Sequence, residues 1–181
     1  INIKDNTIGP GGSVIDTAKA IAYGLAEPDH DVWELYERKR TAKKCLPVGC
    51  VLTIAAAGSE MSASSVITNE KTGSKRGYGS SLARPVFAIM NPKFTMTLPD
   101  YQTASGCIDI MMHTMERYFT GSGNMEITDA LAEGLLRTVM KNARILHTDP
   151  QNYEARAEVM WAGSLSHNGL TGCGNGGDDF M

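Results

Sequence analysis

One pair of residues in this 181-residue sequence has the types and the spacing of a metal site. Asp109 and His113 stand four positions apart in a stretch of helical periodicity, so a helix would place both side chains on one face. A carboxylate and an imidazole in that arrangement can bind one divalent metal ion, and Glu116 falls near the same face. A plain Asp–His hydrogen bond on a helix surface has the same spacing, so the pair alone leaves both interpretations open.

The residues around this pair are mostly apolar, and we therefore expect the pair to be buried. They are Cys107, Ile108, Ile110, Met111 and Met112. Burying a carboxylate without a partner is unfavourable, so a buried Asp109 requires a cation or a hydrogen-bond donor beside it.

A glycine-rich turn provides a second candidate site. Gly11 and Gly12, at the end of the turn over 9–12, precede Ser13, a suitable N-cap for a helix that runs through position 22. Glycine lets the backbone approach a phosphate closely, and free N–H groups at a helix start attract an anion. The run lacks the G-x-G-x-x-G spacing of the common dinucleotide fingerprint, and a plain turn before a helix would contain the same residues. Phosphate binding is therefore one of two interpretations here.

Other polar residues are weaker candidates. Lys75 follows a Gly-Ser turn and could reach a phosphate, although a solvated lysine fits the same position. Ser59 and Glu60, after a predicted strand, could hydrogen-bond a ligand or cap a helix. His167 precedes Asn168-Gly169, which is typical of a hydrogen-bonding residue at a helix end. The Gly-x-Ser-x-Gly motif of a serine nucleophile is not present.

The elements that would position these residues change in character near Pro99. Before it, the pattern predicts strands over 45–54 and 86–90 and a strand–turn–strand unit over 66–78, with the first strand short, fully buried and part of a parallel sheet. After it, periodicity predicts helices over 103–118, 127–146 and 153–167, with Asp100 and Thr128 as N-caps. We therefore predict an α/β domain over residues 1–99 and an all-helical domain over residues 100–181.

Composition argues against several classes of protein. The 17 basic and 20 acidic residues give a net charge of −3, which argues against a nucleic-acid-binding surface. The four cysteines contain no C-x-x-C pair, so neither a zinc ribbon nor a dense disulfide framework is expected. No apolar run approaches the length of a bilayer-spanning helix, about 20 residues. We expect a soluble, cytoplasmic protein without membrane or nucleic-acid partners.

Five short motifs occur in an order that is typical of one family. They are Gly-Gly-Ser-Val-Ile-Asp-Thr-Ala-Lys at 11–19, Gly-Ser-Glu-Met at 58–61, Val-Ile-Thr-Asn at 66–69, Leu-Pro-x-x-Gln-Thr-Ala-x-Gly at 98–106 and Asp-x-x-x-His-x-x-Glu at 109–116. Together they resemble the iron-containing (group III) alcohol dehydrogenases, and within them the NAD(P)H-dependent butanol dehydrogenase-like members. The resemblance extends over nearly the whole chain.

The resemblance implies a dehydroquinate synthase-like fold, in which a Rossmann-like dinucleotide-binding domain precedes a helical metal-binding domain, both incomplete in this chain. It implies NAD(P)(H) as cofactor and a divalent metal ion, Fe2+ first and Zn2+ second, with Asp109 and His113 as ligands. It also implies hydride transfer with a short-chain primary alcohol or aldehyde, and a homo-oligomer. The positions that match cofactor-binding residues of the family are Gly11, Gly12, Ser13, Asp16, Thr53, Ser59, Lys75, Thr97 and Leu98.

Two departures from the family pattern bear on activity. Pro10 stands where the family has a glycine, which removes one N–H donor from the phosphate site. The family's other two metal ligands are histidines beyond its Gly-Asp motif, matched here by Gly177-Asp178, and this sequence has no histidine after His167. We therefore expect the chain to be part of a longer enzyme and to be inactive alone. The alternatives are a non-catalytic binding or assembly module and a lyase of the same fold.

Overall fold

The order of helices and strands changes from mixed to helical where the sequence predicts it. A computed structural model of the protein describes residues 11–120 and 123–174, so Pro10 and the Gly177-Asp178 motif lie outside the described residues. The elements are α1 Gly11–Ala26, α2 Trp33–Tyr36, β1 Gly49–Val51, β2 Ser64–Thr68, β3 Lys75–Gly79, β4 Phe87–Ile89, α3 Asp100–Thr120, α4 Glu126–Thr148 and α5 Tyr153–His167. All three predicted helices after residue 100 are confirmed, and α5 has the predicted bounds.

The strands form two separate pairs. β1 runs parallel to β4, with Gly49 opposite Phe87, which confirms the predicted parallel pairing. β2 and β3 form the predicted hairpin, with Ser64 opposite Gly79, and its turn contains Gly73 at a φ of +69°. The prediction of a short, fully buried strand over 45–54 is wrong in extent and in burial, because β1 has three residues and Cys50 alone among them is buried. Within the described residues β1 pairs only with β4, so the strand has one neighbour instead of the two of a central strand.

Three predicted N-caps are wrong, because Ser13, Asp100 and Thr128 are all helical residues; α3 begins at Asp100 itself, and the carbonyl of Pro99 accepts the first hydrogen bonds of that helix. α1 begins at Gly11, so Ser13 is the third helical residue, and its carbonyl accepts a hydrogen bond from Thr17 Oγ1 at 2.7 Å. α4 begins at Glu126, and Thr128 Oγ1 donates to the carbonyl of Cys173 at 2.9 Å. Asn152, by contrast, caps α5 by accepting from the Ala155 N–H at 3.0 Å.

The larger hydrophobic core contains residues from both halves of the chain. Buried side chains from α1 and from β1 and its C-terminal extension, among them Ile15, Cys50 and Leu52, pack with Ile110 of α3 and Val139 of α4. A second, smaller core surrounds the ring of Tyr23 and joins α1 and α2 to the β2–β3 hairpin. None of the helices in the described ranges combines the length and apolar character needed to span a bilayer.

Candidate active site

The predicted metal-binding pair lies on the outer side of α3, facing partly to solvent. Nε2 of His113 is 3.6 Å from Oδ1 of Asp109, and the two side chains are 31% and 41% exposed. The expectation that the pair is buried is therefore wrong. The buried stripe of α3 consists of Thr103, Gly106, Cys107, Ile110 and Thr114, and the pair lies beside this stripe. Apolar neighbours in sequence thus occupy other faces of the same helix.

The two donor atoms fit one metal ion. Metal bonds to carboxylate oxygen and imidazole nitrogen are each about 2.1 Å long, so one ion can bridge donors separated by less than about 4.2 Å. The 3.6 Å between Asp109 and His113 meets this condition. Glu116 does not lie on that side, because its Oε2 is 3.7 Å from the opposite ring nitrogen, Nδ1 of His113. Among the described residues, no group of three or more His, Cys, Asp or Glu side chains could hold a metal ion.

A second histidine contacts this pair from α5. The ring of His167 lies edge-to-face against the ring of His113, with 4.2 Å between centroids and 83° between planes. His167 Nδ1 is 3.3 Å from Ser166 Oγ, in keeping with the predicted hydrogen-bonding residue at a helix end. Burial, together with the nearby His113 and Arg117, lowers the pKa of His167 to about 3, so its ring is neutral. No pattern in the sequence predicts the contact between these two rings, because they are far apart along the chain.

The start of α1 has the properties of an anion site. Its first turn contains Gly11, Gly12 and Ser13, and among these described residues no acidic side chain offsets the positive end of the helix dipole. A Cβ on Gly12 would lie 3.3 Å from Ser59 Oγ, which shows how closely the loop after β1 approaches this turn. The structure therefore brings four of the predicted cofactor-binding residues together. A phosphate group fits this donor set, which combines free backbone N–H groups with a nearby hydroxyl.

A cavity of about 580 Å³ extends along α1 from this turn toward the β2–β3 hairpin. Its polar lining includes Ser13 and Thr17 of α1 and Thr68 and Lys75 of the hairpin. The remaining lining residues are Ala20, Ile21, Gly24, Leu25, Val32, Val66 and Ile67. Lys75 is therefore placed across the cavity from the helix start, which is compatible with a role in binding an anionic ligand.

Asp16 is not one of the residues that line this cavity, and its carboxylate contacts the hairpin. Its Oδ2 accepts a hydrogen bond from the Val66 N–H at 2.9 Å, and its Oδ1 is 3.9 Å from Nζ of Lys19. Burial raises the pKa of the Asp16 carboxyl, while the Val66 N–H and the Lys19 ammonium act in the opposite direction. The contacts of Asp16 thus attach α1 to β2, and its predicted place in the cofactor site stays a prediction.

Three further predicted cofactor residues are not brought to the helix start. Thr53 and Thr97 are exposed, and neither of them lines the cavity along α1. Leu98 is half-buried and lines a separate cavity of about 10 Å³ together with Ala55 and Arg156. These three positions stay predictions from the family resemblance.

The loop over 55–60 connects the helix start to the metal-binding pair. Gly58 has a φ of +62°, and a Cβ there would lie 2.6 Å from both the Gly163 carbonyl and the Cβ of His167. A Cβ on Gly106 of α3 would overlap the carbonyl of Ala55. Glycine is therefore required on both sides of this contact, and the loop packs directly on α3 and α5. A glycine inside an otherwise helical pattern was the one signal in the sequence for such a close approach.

Comparison with known proteins identifies a family. The sequence model for iron-containing alcohol dehydrogenase matches residues 7–92. The model for the C-terminal part of the Fe-containing alcohol dehydrogenase family matches residues 103–178. The two matches follow one another along the chain and together include the helix start, the loop over 55–60 and the Asp109–His113 pair.

Individual relatives agree with these matches. A probable NADH-dependent butanol dehydrogenase of Bacillus subtilis (strain 168) is 45% identical over 93% of this chain and 43% of its own length. An NADPH-dependent aldehyde reductase of Escherichia coli (strain K12) is 41% identical over 91% of this chain and 43% of its own length. The crystal structure of NADH-dependent butanol dehydrogenase A from Thermotoga maritima has a TM-score of 0.87 and 43% identity, covering 91% of this chain and 41% of that one. The chain thus spans less than half the length of these relatives, and it belongs to the iron-containing alcohol dehydrogenase family.

Proposed function

We propose that this chain is part of a metal-dependent alcohol dehydrogenase or aldehyde reductase that exchanges a hydride between NAD(P)(H) and a short-chain primary alcohol or aldehyde. Family membership supports this proposal, as do the names of the relatives, which include NADH-dependent and NADPH-dependent enzymes. Fe2+ is the first candidate for the metal ion and Zn2+ the second.

The observation that carries the proposal is the placement of Asp109 and His113. Their donor atoms are 3.6 Å apart on one face of α3, and the His113 ring contacts His167, which packs on Gly58 of the loop after β1. The same loop brings Ser59 against the first turn of α1. One short loop therefore separates a carboxylate–imidazole pair from an anion site, which is the proximity that a two-component active site needs.

The chemistry divides between these two places. When bound, the metal ion polarises the substrate oxygen as a Lewis acid, and the nicotinamide exchanges a hydride with the substrate carbon. Asp109 and His113 would hold the cation through Oδ1 and Nε2, and Glu116 lies on the side of the other ring nitrogen of His113, with 3.7 Å between Oε2 and Nδ1. The N–H groups of the α1 start bind the pyrophosphate. We assign Ser59 and Lys75 to the same cofactor, and Asp16, Thr53, Thr97 and Leu98 on the family resemblance alone.

The resemblance also supports the wider features of the proposal. They are an α/β dinucleotide-binding domain over 1–99, a helical metal-binding domain over 100–181, a homo-oligomeric state and a cytoplasmic location. The net charge of −3 supports a small-molecule substrate over a nucleic-acid partner.

The decisive experiment replaces the proposed metal ligands in the full-length protein that contains this chain. Asp109→Asn keeps the size and removes the ligand charge, and His113→Ala removes the imidazole. Both should lose bound metal and turnover and keep NADH binding, because the helix start is a separate site. Metal content by mass spectrometry and NADH titration by fluorescence measure these two properties.

The protein offers a matched control for this experiment. Asp100 and His147 form another exposed pair, with 3.3 Å between Oδ2 and Nδ1, at the opposite end of α3. Asp100→Asn and His147→Ala should leave metal content and turnover unchanged. An Asp109→Asn protein with stoichiometric metal would overturn the assignment, and an unmodified protein without metal and NADH binding would favour a non-catalytic module.

A further inference from the structure

A buried lysine lies at the centre of the contacts between α1 and the loop after β1. The side chain of Lys19 is fully buried, and its Nζ donates hydrogen bonds to the carbonyls of Ser59 at 2.8 Å, Ser62 at 2.9 Å and Ser64 at 2.7 Å. An ammonium group has three N–H bonds, so this arrangement uses all of them. The three carbonyls belong to one short segment, residues 59–64.

Packing alone does not account for a charged group in this position. Burial lowers the pKa of Lys19, and the nearest carboxylate, Asp16, is 3.9 Å away. Removing a cation from water is costly, and an apolar side chain of similar volume often stabilises such a site better. Three carbonyl oxygens that point toward one another repel unless a cation lies between them. The ammonium group therefore stabilises the backbone conformation of the segment that it binds.

The segment that Lys19 holds carries two residues with other contacts. Ser59 lies against the first turn of α1, where its Oγ would be 3.3 Å from a Cβ on Gly12. Glu60 accepts a hydrogen bond from Ser164 of α5 at 2.6 Å. The direction of the Ser59 carbonyl toward Lys19 fixes the backbone from which both side chains extend.

We propose that Lys19 is a positioning residue for the cofactor: its ammonium ion shapes the 59–64 segment so that Ser59 meets the start of α1 and Glu60 reaches α5. This inference rests on the proposed function, since it assigns the helix start to the cofactor. Lys19 itself is fully enclosed by protein. We expect Lys19 to affect cofactor binding only indirectly, through the conformation of the 59–64 segment.

Chemical rescue tests the role of the ammonium group. Lys19→Ala in the full-length protein removes the cation and leaves a cavity beside the three carbonyls. We expect the dissociation constant for NADH to rise about tenfold, equivalent to about 1.4 kcal/mol. Ethylammonium, which has three N–H donors, should restore both NADH affinity and melting temperature, whereas tetramethylammonium at the same ionic strength should restore neither. Metal content and the rate at saturating NADH should stay close to those of the unmodified protein.

Two further variants keep the test decisive. Lys19→Met retains most of the side-chain length and lacks the donors, so it should also weaken NADH binding, and a Lys19→Met protein with unchanged NADH affinity would overturn the inference. Lys141→Ala removes an exposed lysine from α4 and should show no response to ethylammonium. If Lys19→Ala folds only when ethylammonium is present during refolding, the result supports the inference.

The two proposals fail in different ways. The unmodified protein tests the proposed function. If it does not bind NADH, the dinucleotide assignment is wrong, regardless of the results with the Lys19 variants. The melting temperature of Lys19→Ala reports on the ammonium site without NADH. Equal effects of ethylammonium and tetramethylammonium on that temperature would overturn the role of Lys19 even if NADH binding is normal.

Discussion

Glu60 and Ser164 join the loop after β1 to helix α5 through one short hydrogen bond. Ser164 Oγ donates to Oε1 of Glu60 at 2.6 Å, and both residues are buried. A hydrogen bond to a charged acceptor in such a place is stronger than one between neutral groups, because little water competes for it. This bond fixes the distance between the loop that carries Ser59 and the helix that carries His167.

Removing the hydroxyl of Ser164 should therefore destabilise the protein. Ser164→Ala leaves the Glu60 carboxylate buried without this donor, and we expect the free energy of unfolding to fall by about 1.5–3 kcal/mol. Ser166, also buried on α5, is a matched control, since its Oγ donates to the Gly163 carbonyl at 2.7 Å within its own helix. Urea unfolding should show a smaller loss for Ser166→Ala, and equal losses would contradict the prediction.

Gly58 should be less tolerant of alanine than Gly73, although the two have similar backbone conformations. Their φ angles are +62° and +69°, so alanine costs about 1–2 kcal/mol of backbone strain at either position. A Cβ on Gly58 would also lie 2.6 Å from the Gly163 carbonyl, whereas a Cβ on Gly73 meets nothing within 4 Å. Overpacking adds about 1–3 kcal/mol to the loss at Gly58. Thermal unfolding of both variants measures the difference, and equal melting temperatures would refute the close contact.

Alanine should have opposite effects at two helical glycines. Gly134 of α4 has open space around it, so Gly134→Ala should stabilise the protein by about 0.5–1 kcal/mol through helix propensity. Gly106 of α3 faces the Ala55 carbonyl, so Gly106→Ala should destabilise it by about 1–3 kcal/mol. Denaturant titration of the two variants gives the signs directly, and a stable Gly106→Ala protein would show that the loop can move away from α3.

The four cysteines should differ strongly in reactivity. Burial raises the pKa of both Cys50 and Cys107 to about 11, whereas Cys173 is exposed. At pH 8 about 0.1% of a thiol with this pKa is ionised, so iodoacetamide should modify Cys173 first and reach Cys50 and Cys107 only after unfolding. Peptide mass spectrometry before and after urea treatment identifies the modified sites. Rapid modification of Cys107 in the native protein would contradict its burial.

The same thiols give a pH dependence with a definite sign. Their pKa in the folded protein, about 11, is above the ordinary thiol value of 9.0, so the unfolded chain loses these protons first as the pH rises. Their contribution to stability is therefore present below pH 9 and is lost as the pH approaches 11. Replacing Cys107 with Ser should make the free energy of unfolding less steep in this range, which urea titrations at several pH values can measure.

The parts of the fold that depend on local pattern could be predicted from the sequence. The bounds of α5, the β2–β3 hairpin and the one-turn spacing of Asp109 and His113 follow from periodicity and turn residues over short stretches. The exposure of Asp109 could not be predicted in this way, because the faces of α3 that are covered depend on helices far away in the sequence.

The hydrogen-bond partners of buried polar side chains could not be predicted from the sequence either. Lys19 binds carbonyls 40 or more residues away, and Glu60 meets a serine 104 residues further along the chain. No local rule predicts such pairs, although a lysine among the apolar residues of a helix is a sign that a partner must exist. The predicted cofactor residues Thr53, Thr97 and Leu98 depended on family resemblance for the same reason.

The shared core has a consequence for how the chain unfolds. Ile15, Cys50 and Leu52 pack in one cluster with Ile110 and Val139. This hydrophobic core is therefore formed by residues from both halves of the chain. Residues of α1 and β1 cannot lose their packing without exposing the inner faces of α3 and α4. We therefore expect the buried amide protons before and after residue 99 to exchange with solvent through one common opening of this core.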